Sequence, residues 1–105
     1  MKQDDILVSR GGWECTRVTF YKVIKIMNGF ATVKILRKNL VSYEPFAGTF
    51  GSGTETPIDE FTFEETIRRK IKFSNYDNEP YIRIAEYELA SLWDGTPQQF
   101  DFTNI

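Results

Sequence analysis

The tetrapeptide Met27-Asn28-Gly29-Phe30 is the feature that most constrains the fold, because it predicts where the chain reverses direction. Asn and Gly tolerate a positive φ, which both central residues of a type I′ turn require. A two-residue hairpin at this point pairs Ile26 with Ala31 and Ile24 with Val33. These four side chains then share one apolar face, so the turn and the hydrophobic pattern predict the same antiparallel register.

Apolar and polar residues alternate in several further segments, which predicts more strands. A short strand is expected over Asp5–Ser9. The strand that leads into the hairpin turn is expected to begin near Thr16, with a β-bulge or a change of its buried face at Lys22. Another strand is expected over Tyr81–Ile84, and the tail from Gln98 onward is a candidate edge strand.

Two segments are expected to interrupt the strand pattern. Glycines and prolines break up residues 44–63, which predicts a long irregular loop. Four apolar residues between Ala85 and Trp93 share a helical face, which predicts a short helix over that segment. Together these features predict a single domain over residues 1–105 that is mainly β, of the α+β class. Its expected architecture is a small, strongly bent antiparallel sheet, SH3-like or a partly open barrel, with one short C-terminal helix.

Histidine is absent, and Cys15 is the only cysteine. The chain therefore lacks the Ser–His and Cys–His catalytic pairs, zinc sites made of Cys and His, and an internal disulfide. No catalytic residue, cofactor or metal is expected, so the chain is predicted not to be an enzyme and Cys15 to be a buried, unreactive thiol. The sequence has neither a run of 18 apolar residues nor a secretion signal, which predicts a cytoplasmic protein without a membrane span.

The net charge of −2 conceals blocks of opposite sign. Residues 1–38 carry +5, residues 39–65 carry −6, residues 66–72 carry +4 and residues 73–105 carry −5. A compact chain with such blocks is expected to present separate positive and negative patches, which favour oriented docking to a partner. The alternative is that the blocks interleave on folding into ordinary solvated ion pairs.

The +4 block contains the best candidate for a nucleic-acid-binding strand. Ile67, Ile71 and Phe73 alternate with basic residues, which predicts a strand with one basic face, and a helix over 61–72 is the competing interpretation. Alternate residues of a strand recur at about 6–7 Å, close to the spacing of phosphates along a nucleic-acid strand. Stacking of bases on Tyr81 is expected to add to binding. The candidate nucleic-acid-binding residues are Arg68, Arg69, Lys70, Lys72 and Arg83.

The acidic segment 55–65 carries two phenylalanines between its carboxylates and is the candidate surface for binding a protein partner. Acidic side chains can dock into a basic groove built for nucleic acid, with aromatic rings as anchors. The alternative is a polar loop that balances the basic stretch from Arg68 to Lys72. The candidate partner-binding residues are Glu55, Asp59, Glu60, Phe61, Phe63, Glu64 and Glu65.

Two stretches of the chain follow the pattern of a known group of proteins. These stretches are residues 12–23 and residues 69–97, the second of which ends in Trp93-Asp94-Gly95-x-Pro97. They resemble a family of small proteins carried by phages and other mobile elements of Gram-positive bacteria. The sequence departs from the family pattern at Cys15, Arg17 and Thr19, where the family has Gln, Asn and Asp.

The resemblance implies a biological context and brings no catalytic residues with it. Small, acidic proteins of mobile elements often act by blocking a host protein, as anti-CRISPR inhibitors do. The resemblance therefore implies a non-catalytic phage or mobile-element protein that inhibits a host defence nuclease of the Cas9 type by protein–protein binding. Such an inhibitor is expected in the cytoplasm of the bacterial host. The alternative function is a small barrel that binds nucleic acid through its basic strand.

Overall fold

A computed structural model describes residues 1–11, 16–45 and 50–103 of the chain. The nine strands in these ranges are β1 (Ile6–Gly11), β2 (Arg17–Met27), β3 (Phe30–Pro45), β4 (Phe50–Phe61), β5 (Ile67–Lys70), β6 (Lys72–Phe73), β7 (Pro80–Ala85), β8 (Glu88–Leu92) and β9 (Gln98–Thr103). They form one sheet in the order β6-β7-β8-β1-β2-β3-β4-β9, and β5 pairs separately with β3. Every pair is antiparallel, so the expectation of a mainly β chain with an antiparallel sheet is confirmed.

The predicted hairpin between β2 and β3 is confirmed. Both turn residues have a positive φ, which is 54° for Asn28 and 80° for Gly29. Met27 pairs with Phe30 directly beside the turn, as the type I′ geometry requires. The local chemistry of two residues therefore sets the register at the start of the hairpin.

A β-bulge in β2 corrects the predicted register further from the turn. The hydrophobic pattern places Ile24 opposite Val33, whereas Val23 is the actual partner of Val33. The register shifts between Val23 and Lys25, close to the predicted bulge or change of face at Lys22. The bulge directs Val23 into the interior, where it is fully buried, and leaves Ile24 half-buried.

Both faces of the β1–β2–β3 region are buried, which gives the chain two small cores. On β2, Val18 and Phe20 belong to one core, while Tyr21 and Val23 belong to the other. The first core contains Leu7, Tyr21, Val23, Ala31, Val33, Ile82 and Ala90. The second core contains Val18, Phe20 and Leu36, with Ile6, Val8, Trp93 and Phe100 packed against them.

The sheet bends until its last strand approaches the start of β2. The Thr16 amide donates to Asp101 Oδ1 at 2.7 Å, and the Asp101 amide donates to the Thr16 carbonyl at 3.2 Å. Arg10 on β1 also donates to the Gln98 side chain on β9. The end strands β6 and β9 do not pair with each other, so the described strands do not close into an SH3-like barrel. The expectation of an antiparallel sheet is confirmed, that of a closed SH3-like barrel is not, and the partly open barrel stays a prediction.

The predicted C-terminal helix over Ala85–Trp93 is wrong, and the described ranges contain no helix. The segment instead forms a turn at 86–87 and then β8, which pairs with both β7 and β1. Ala90 is fully buried while its neighbours Leu89 and Ser91 are exposed, which is the alternation of a strand. Ladder hydrogen bonds to two neighbouring strands outweigh the helical spacing of these few apolar residues.

The predicted irregular loop at 44–63 is also wrong, because β4 occupies most of it. This strand pairs with β3 on one side and with β9 on the other. A Cβ atom on Gly53 would lie 2.2 Å from the Ser42 carbonyl oxygen and 2.8 Å from the Phe100 ring. Gly53 therefore marks a close approach of neighbouring strands rather than a flexible loop. Residues 46–49, which join β3 to β4, lie outside the described ranges.

Replacing Gly53 with alanine is expected to lower the free energy of unfolding by about 1–3 kcal/mol, because the added methyl group must displace backbone of β3. The shift in the urea midpoint measures this effect. Ser52→Ala is the matched control on the same strand, and we expect it to leave the midpoint nearly unchanged. An unchanged midpoint for Gly53→Ala would contradict the close approach of β3, β4 and β9.

Candidate nucleic-acid interface

The predicted nucleic-acid-binding residues lie on three strands, and all five side chains are exposed. Strand β5 carries Arg68, Arg69 and Lys70, while β6 carries Lys72 and β7 carries Arg83. The chain between β5 and β6 is held at Ile71, whose amide donates to the Gly29 carbonyl at 2.9 Å. The strand interpretation of this stretch is confirmed, and the competing helix over 61–72 is wrong.

The break at Ile71 prevents the expected single row of basic side chains. Since β5 pairs with β3 and β6 pairs with β7, the basic stretch crosses from one part of the sheet to another. Arg68 lies over the Phe30 ring of β3, with its Cζ 4.1 Å from the ring centroid. A groove of about 370 Å³ is lined by the other four basic residues together with Ile84, Ala85 and Glu86. We call this groove, defined by Arg69, Lys70, Lys72 and Arg83, the basic groove.

Arg69 connects β5 to β7 at the basic groove. Its Nη2 donates to the Ile84 carbonyl at 3.3 Å, and its Nη1 donates to the Arg68 carbonyl at 3.0 Å. A guanidinium has five N–H donors, so these two bonds leave donors for an anion. Arg69 therefore links β5 to β7 at the groove and retains further N–H donors.

The basic groove differs from the four paired cations of β2 and β3, because no carboxylate of the described residues forms an ion pair with it. The ion pairs among the described residues are Lys22–Asp59 at 2.7 Å, Lys34–Glu64 at 3.7 Å, Arg37–Glu60 at 3.3 Å and Lys38–Glu55 at 3.2 Å. Each of these pairs joins a basic residue of β2 or β3 to the acidic segment. None of them includes Arg68 or a basic side chain of the groove. The charge blocks therefore interleave around β2 and β3, whereas the basic groove keeps its positive charge.

The ion pairs occupy most of the acidic residues that are predicted to bind a partner. The paired acids are Glu55, Asp59, Glu60 and Glu64. The hydrogen bond to Asp59 raises the pKa of Lys22. The acidic segment thus balances basic residues of β2 and β3 rather than the stretch from Arg68 to Lys72.

The remaining predicted partner-binding residues are Phe61, Phe63 and Glu65. The two rings are exposed by 42% for Phe61 and 56% for Phe63. The Lys34 Nζ lies 4.9 Å from the centroid of the Phe61 ring, and Phe63 lines a depression of about 440 Å³ beside β2 and β3. Because this depression shares no lining residue with the basic groove, the two predicted sites are separate surfaces.

Sequence patterns did not identify three exposed residues, which are Arg10 on β1, Tyr76 in the turn before β7 and Tyr87 in the turn before β8. Tyr76 is 101% exposed, Tyr87 is 87% exposed, and Arg10 is exposed on β1. They line two depressions, of about 400 and 490 Å³, that share Leu89 and Ser91. A signal was available for Tyr76, because an aromatic residue within a turn sequence has no core position to fill. Tyr87 gave no such signal because the predicted helix included it.

A partly buried hydrogen bond attaches β8 to β2. The Tyr21 hydroxyl donates to Glu88 Oε2 at 2.9 Å. Burial raises the pKa of Tyr21 to about 12, and the Glu88 carboxylate acts in the same direction. Because Glu88 begins the strand that joins β7 to β1, this bond helps to position the part of the sheet that carries Arg83.

Tyr21→Phe is expected to lower the free energy of unfolding by about 1 kcal/mol at neutral pH, because it removes this hydrogen bond. The stability of the wild type should also fall as the pH rises from about 10 to about 12, since the unfolded chain ionises Tyr21 before the folded chain does. The variant lacks this ionisation, so the difference between the two proteins should shrink over that range. Urea unfolding at several alkaline pH values measures the difference, and a constant difference would contradict the raised pKa.

The Trp93-Asp94-Gly95-x-Pro97 motif forms a hydrogen-bonded turn before β9. Asp94 Oδ1 accepts bonds from the hydroxyl of Thr96 at 2.6 Å and from its amide at 2.9 Å, and these bonds lower the pKa of Asp94. Trp93 Nε1 donates to the Thr96 carbonyl at 2.7 Å, and Gly95 has a φ of 86°. These contacts lead the chain from the second core into β9, so the motif stabilises the fold.

Potential metal ligands are not clustered in the part of the chain that the structure describes, where no group of three or more Cys, Asp or Glu side chains is placed to hold an ion. The same part contains no helix that is long and apolar enough to cross a membrane. Cys15 lies outside the described ranges, so its predicted burial stays a prediction. No protein-family model, curated protein or solved structure matches the chain.

Proposed function

We propose that this chain is a non-catalytic protein that binds nucleic acid through the basic groove. The observation that supports this function most directly is the unpaired charge of the groove. Four basic side chains from β5, β6 and β7 line it, and none of them takes part in an ion pair between described residues. An anion that enters the groove therefore does not have to displace a carboxylate from these side chains.

Phosphate esters are the anions that best match this arrangement. Arginine offers paired donors to phosphate oxygens, and lysine offers a mobile point charge. Lys72 pairs with Tyr81, and Arg83 lies two residues further along β7. Lys72 and Arg83 are therefore diagonal neighbours at about 7–8 Å, which is on the scale of successive phosphates. The Debye length is about 8 Å at physiological ionic strength, so phosphates in the groove respond mainly to nearby cations rather than to the net charge of −2.

The salt dependence of oligonucleotide binding tests this proposal on the full chain. We expect fluorescence anisotropy to detect binding at low salt, because phosphate contacts release counterions. The logarithm of the association constant should fall linearly with the logarithm of the salt concentration, with a slope of about −3 for four contacts to a single strand. Absence of binding at low salt, or a slope near zero, would contradict the proposal.

A second candidate function is inhibition of a host defence nuclease, and two exposed phenylalanines support it. Phe61 and Phe63 are exposed within the acidic segment, and exposed aromatic side chains are frequent anchors at protein interfaces. In this proposal the chain is a phage or mobile-element protein in the cytoplasm of a bacterial host. It blocks a Cas effector nuclease by protein–protein binding, as the family resemblance implies.

Capture of a Cas9-type effector, with and without guide RNA, tests the second candidate. Charge reversal at Glu60, Glu64 and Glu65 is expected to weaken capture, because it removes the acidic surface. The same reversal at the exposed residues Asp77 and Glu79 is the control and should leave capture unchanged. Equal capture by the wild type and the first variant would exclude the acidic segment as the binding surface.

A further inference from the structure

The sheet beside the basic groove carries side chains suited to binding bases rather than phosphates. In an antiparallel sheet, directly paired residues point to the same face. Lys72 on β6 pairs with Tyr81 on β7, and Tyr81 pairs with Ser91 on β8. Arg83 and Leu89 form the next pair on that face. A cation of the basic groove and a tyrosine therefore lie side by side on one surface.

Tyr76 extends from a turn whose backbone is held by hydrogen bonds. The Ser74 amide donates to the Glu79 carbonyl at 3.0 Å, and the Asn78 amide donates to the Ser74 carbonyl at 3.0 Å. The Tyr76 amide donates to Ser74 Oγ at 3.2 Å. The ring itself is 101% exposed, so it contributes no packing to the fold. An aromatic ring that an ordered turn holds in solvent is suited to contact a ligand.

The aromatic surface continues across β8 to a second exposed tyrosine. One depression of about 400 Å³ is lined by Tyr76 and Tyr81, and another of about 490 Å³ is lined by Tyr87 and Arg10. Leu89 and Ser91 line both, so the two depressions are neighbours on one face. We call the surface defined by Tyr76, Tyr81 and Tyr87 the tyrosine face.

Acidic residues beside the tyrosine face limit how a nucleic acid can lie on it. Asp77 and Glu79 line the depression of Tyr76, and Asp94 lines the depression of Tyr87. These carboxylates repel phosphate, whereas they can accept hydrogen bonds from the amino groups of bases. Phosphates are therefore favoured in the basic groove and bases on the tyrosine face.

We infer that the ligand is a single-stranded nucleic acid whose phosphates occupy the basic groove and whose bases stack on the tyrosine face. This inference rests on the proposed function and specifies its ligand. Unpaired bases present a free aromatic surface to a tyrosine ring, whereas the bases of a duplex are stacked on one another. A surface with cations in the basic groove and aromatic rings on the tyrosine face therefore favours a single strand over a duplex.

The test compares single-stranded and duplex probes on the full chain and on variants of the two exposed tyrosines. Single-stranded DNA and single-stranded RNA of one sequence, each of about 12 nucleotides, are used as separate probes. Comparing them shows whether the chain prefers DNA or RNA. The double variant Tyr76→Ala/Tyr87→Ala is expected to weaken single-strand binding by roughly 10- to 100-fold. Tyr76→Phe/Tyr87→Phe keeps both rings and should bind like the wild type.

Two controls separate this inference from the proposed function. Tyr43→Ala removes a half-exposed tyrosine of β3 that lines neither depression of the tyrosine face, and it should leave binding unchanged. Unchanged circular dichroism and urea midpoints would show that the variants fold. If the wild type binds duplex as tightly as single strand and the alanine variant loses nothing, the inference is overturned and the proposed function stands. If the wild type binds neither probe at low salt, both are overturned.

Discussion

Phe20→Ala is expected to lower the free energy of unfolding by about 3–5 kcal/mol, which is the usual cost of removing a buried phenylalanine ring. Phe20 is fully buried in the second core, together with Val18 and Leu36. Its ring meets the Trp93 ring edge-on, with centroids 5.9 Å apart and an interplanar angle of 76°. Domains of this size are stable by only about 5–15 kcal/mol, so the variant should lose a large part of its stability.

Urea unfolding followed by circular dichroism measures the loss. Met27→Ala is the matched control, because Met27 is a large apolar residue that is half exposed beside the hairpin turn. We expect the control to change stability by less than about 1 kcal/mol. If Phe20→Ala had the same urea midpoint as the wild type, and the same slope of unfolding free energy with urea concentration, the second core would not form between β2 and the chain around Trp93.

Lys72→Glu/Arg83→Glu is expected to weaken oligonucleotide binding at low salt by about 100-fold. Each substitution replaces a cation of the basic groove with an anion. The change removes one contact to a phosphate, and the new carboxylate repels that phosphate. Both side chains are exposed, and neither takes part in an ion pair between described residues, so stability should change little. The slope of the salt dependence should also fall in magnitude by about 1.4, since two contacts are lost.

Lys2→Glu/Arg17→Glu is the matched control for this prediction. Both residues are exposed and basic, and the variant has the same net charge as Lys72→Glu/Arg83→Glu. If binding depends on the basic groove, the control should keep most of the wild-type affinity. Equal losses in the two variants would mean that binding follows net charge alone, and the groove would have no special role.

The sequence was sufficient where structure depends on a few neighbouring residues. The turn at Asn28-Gly29 was predictable because positive φ at both residues is a local requirement. The strand character of the basic stretch was predictable because Ile67 and Ile71 alternate with cations. The segment 85–93 was not, because its four apolar residues on one helical face fit a helix and a strand about equally well. Its pairing with β1, more than 75 residues away, decided the outcome.

The candidate site shows the same division between local and long-range information. The identity of its basic residues was evident from the sequence, but the absence of ion pairs between them and other described residues was not. Which acids reach which lysines depends on the pairing of β4 with β3, and that pairing lies in a segment whose glycines indicated a loop. Gly53 illustrates the reason, since a glycine that permits close packing and a glycine that permits a flexible loop are identical in sequence.

Chemical-shift mapping of the amide groups during titration with a single-stranded oligonucleotide shows directly which surface binds nucleic acid. We expect the largest changes on β5, β6, β7 and the turn of Tyr76, with smaller changes on β8. The amides of β3 beyond Leu40 and of β4 should shift little. Changes centred on β4 and Phe63, with the amides around Lys72 and Arg83 unmoved, would contradict this expectation.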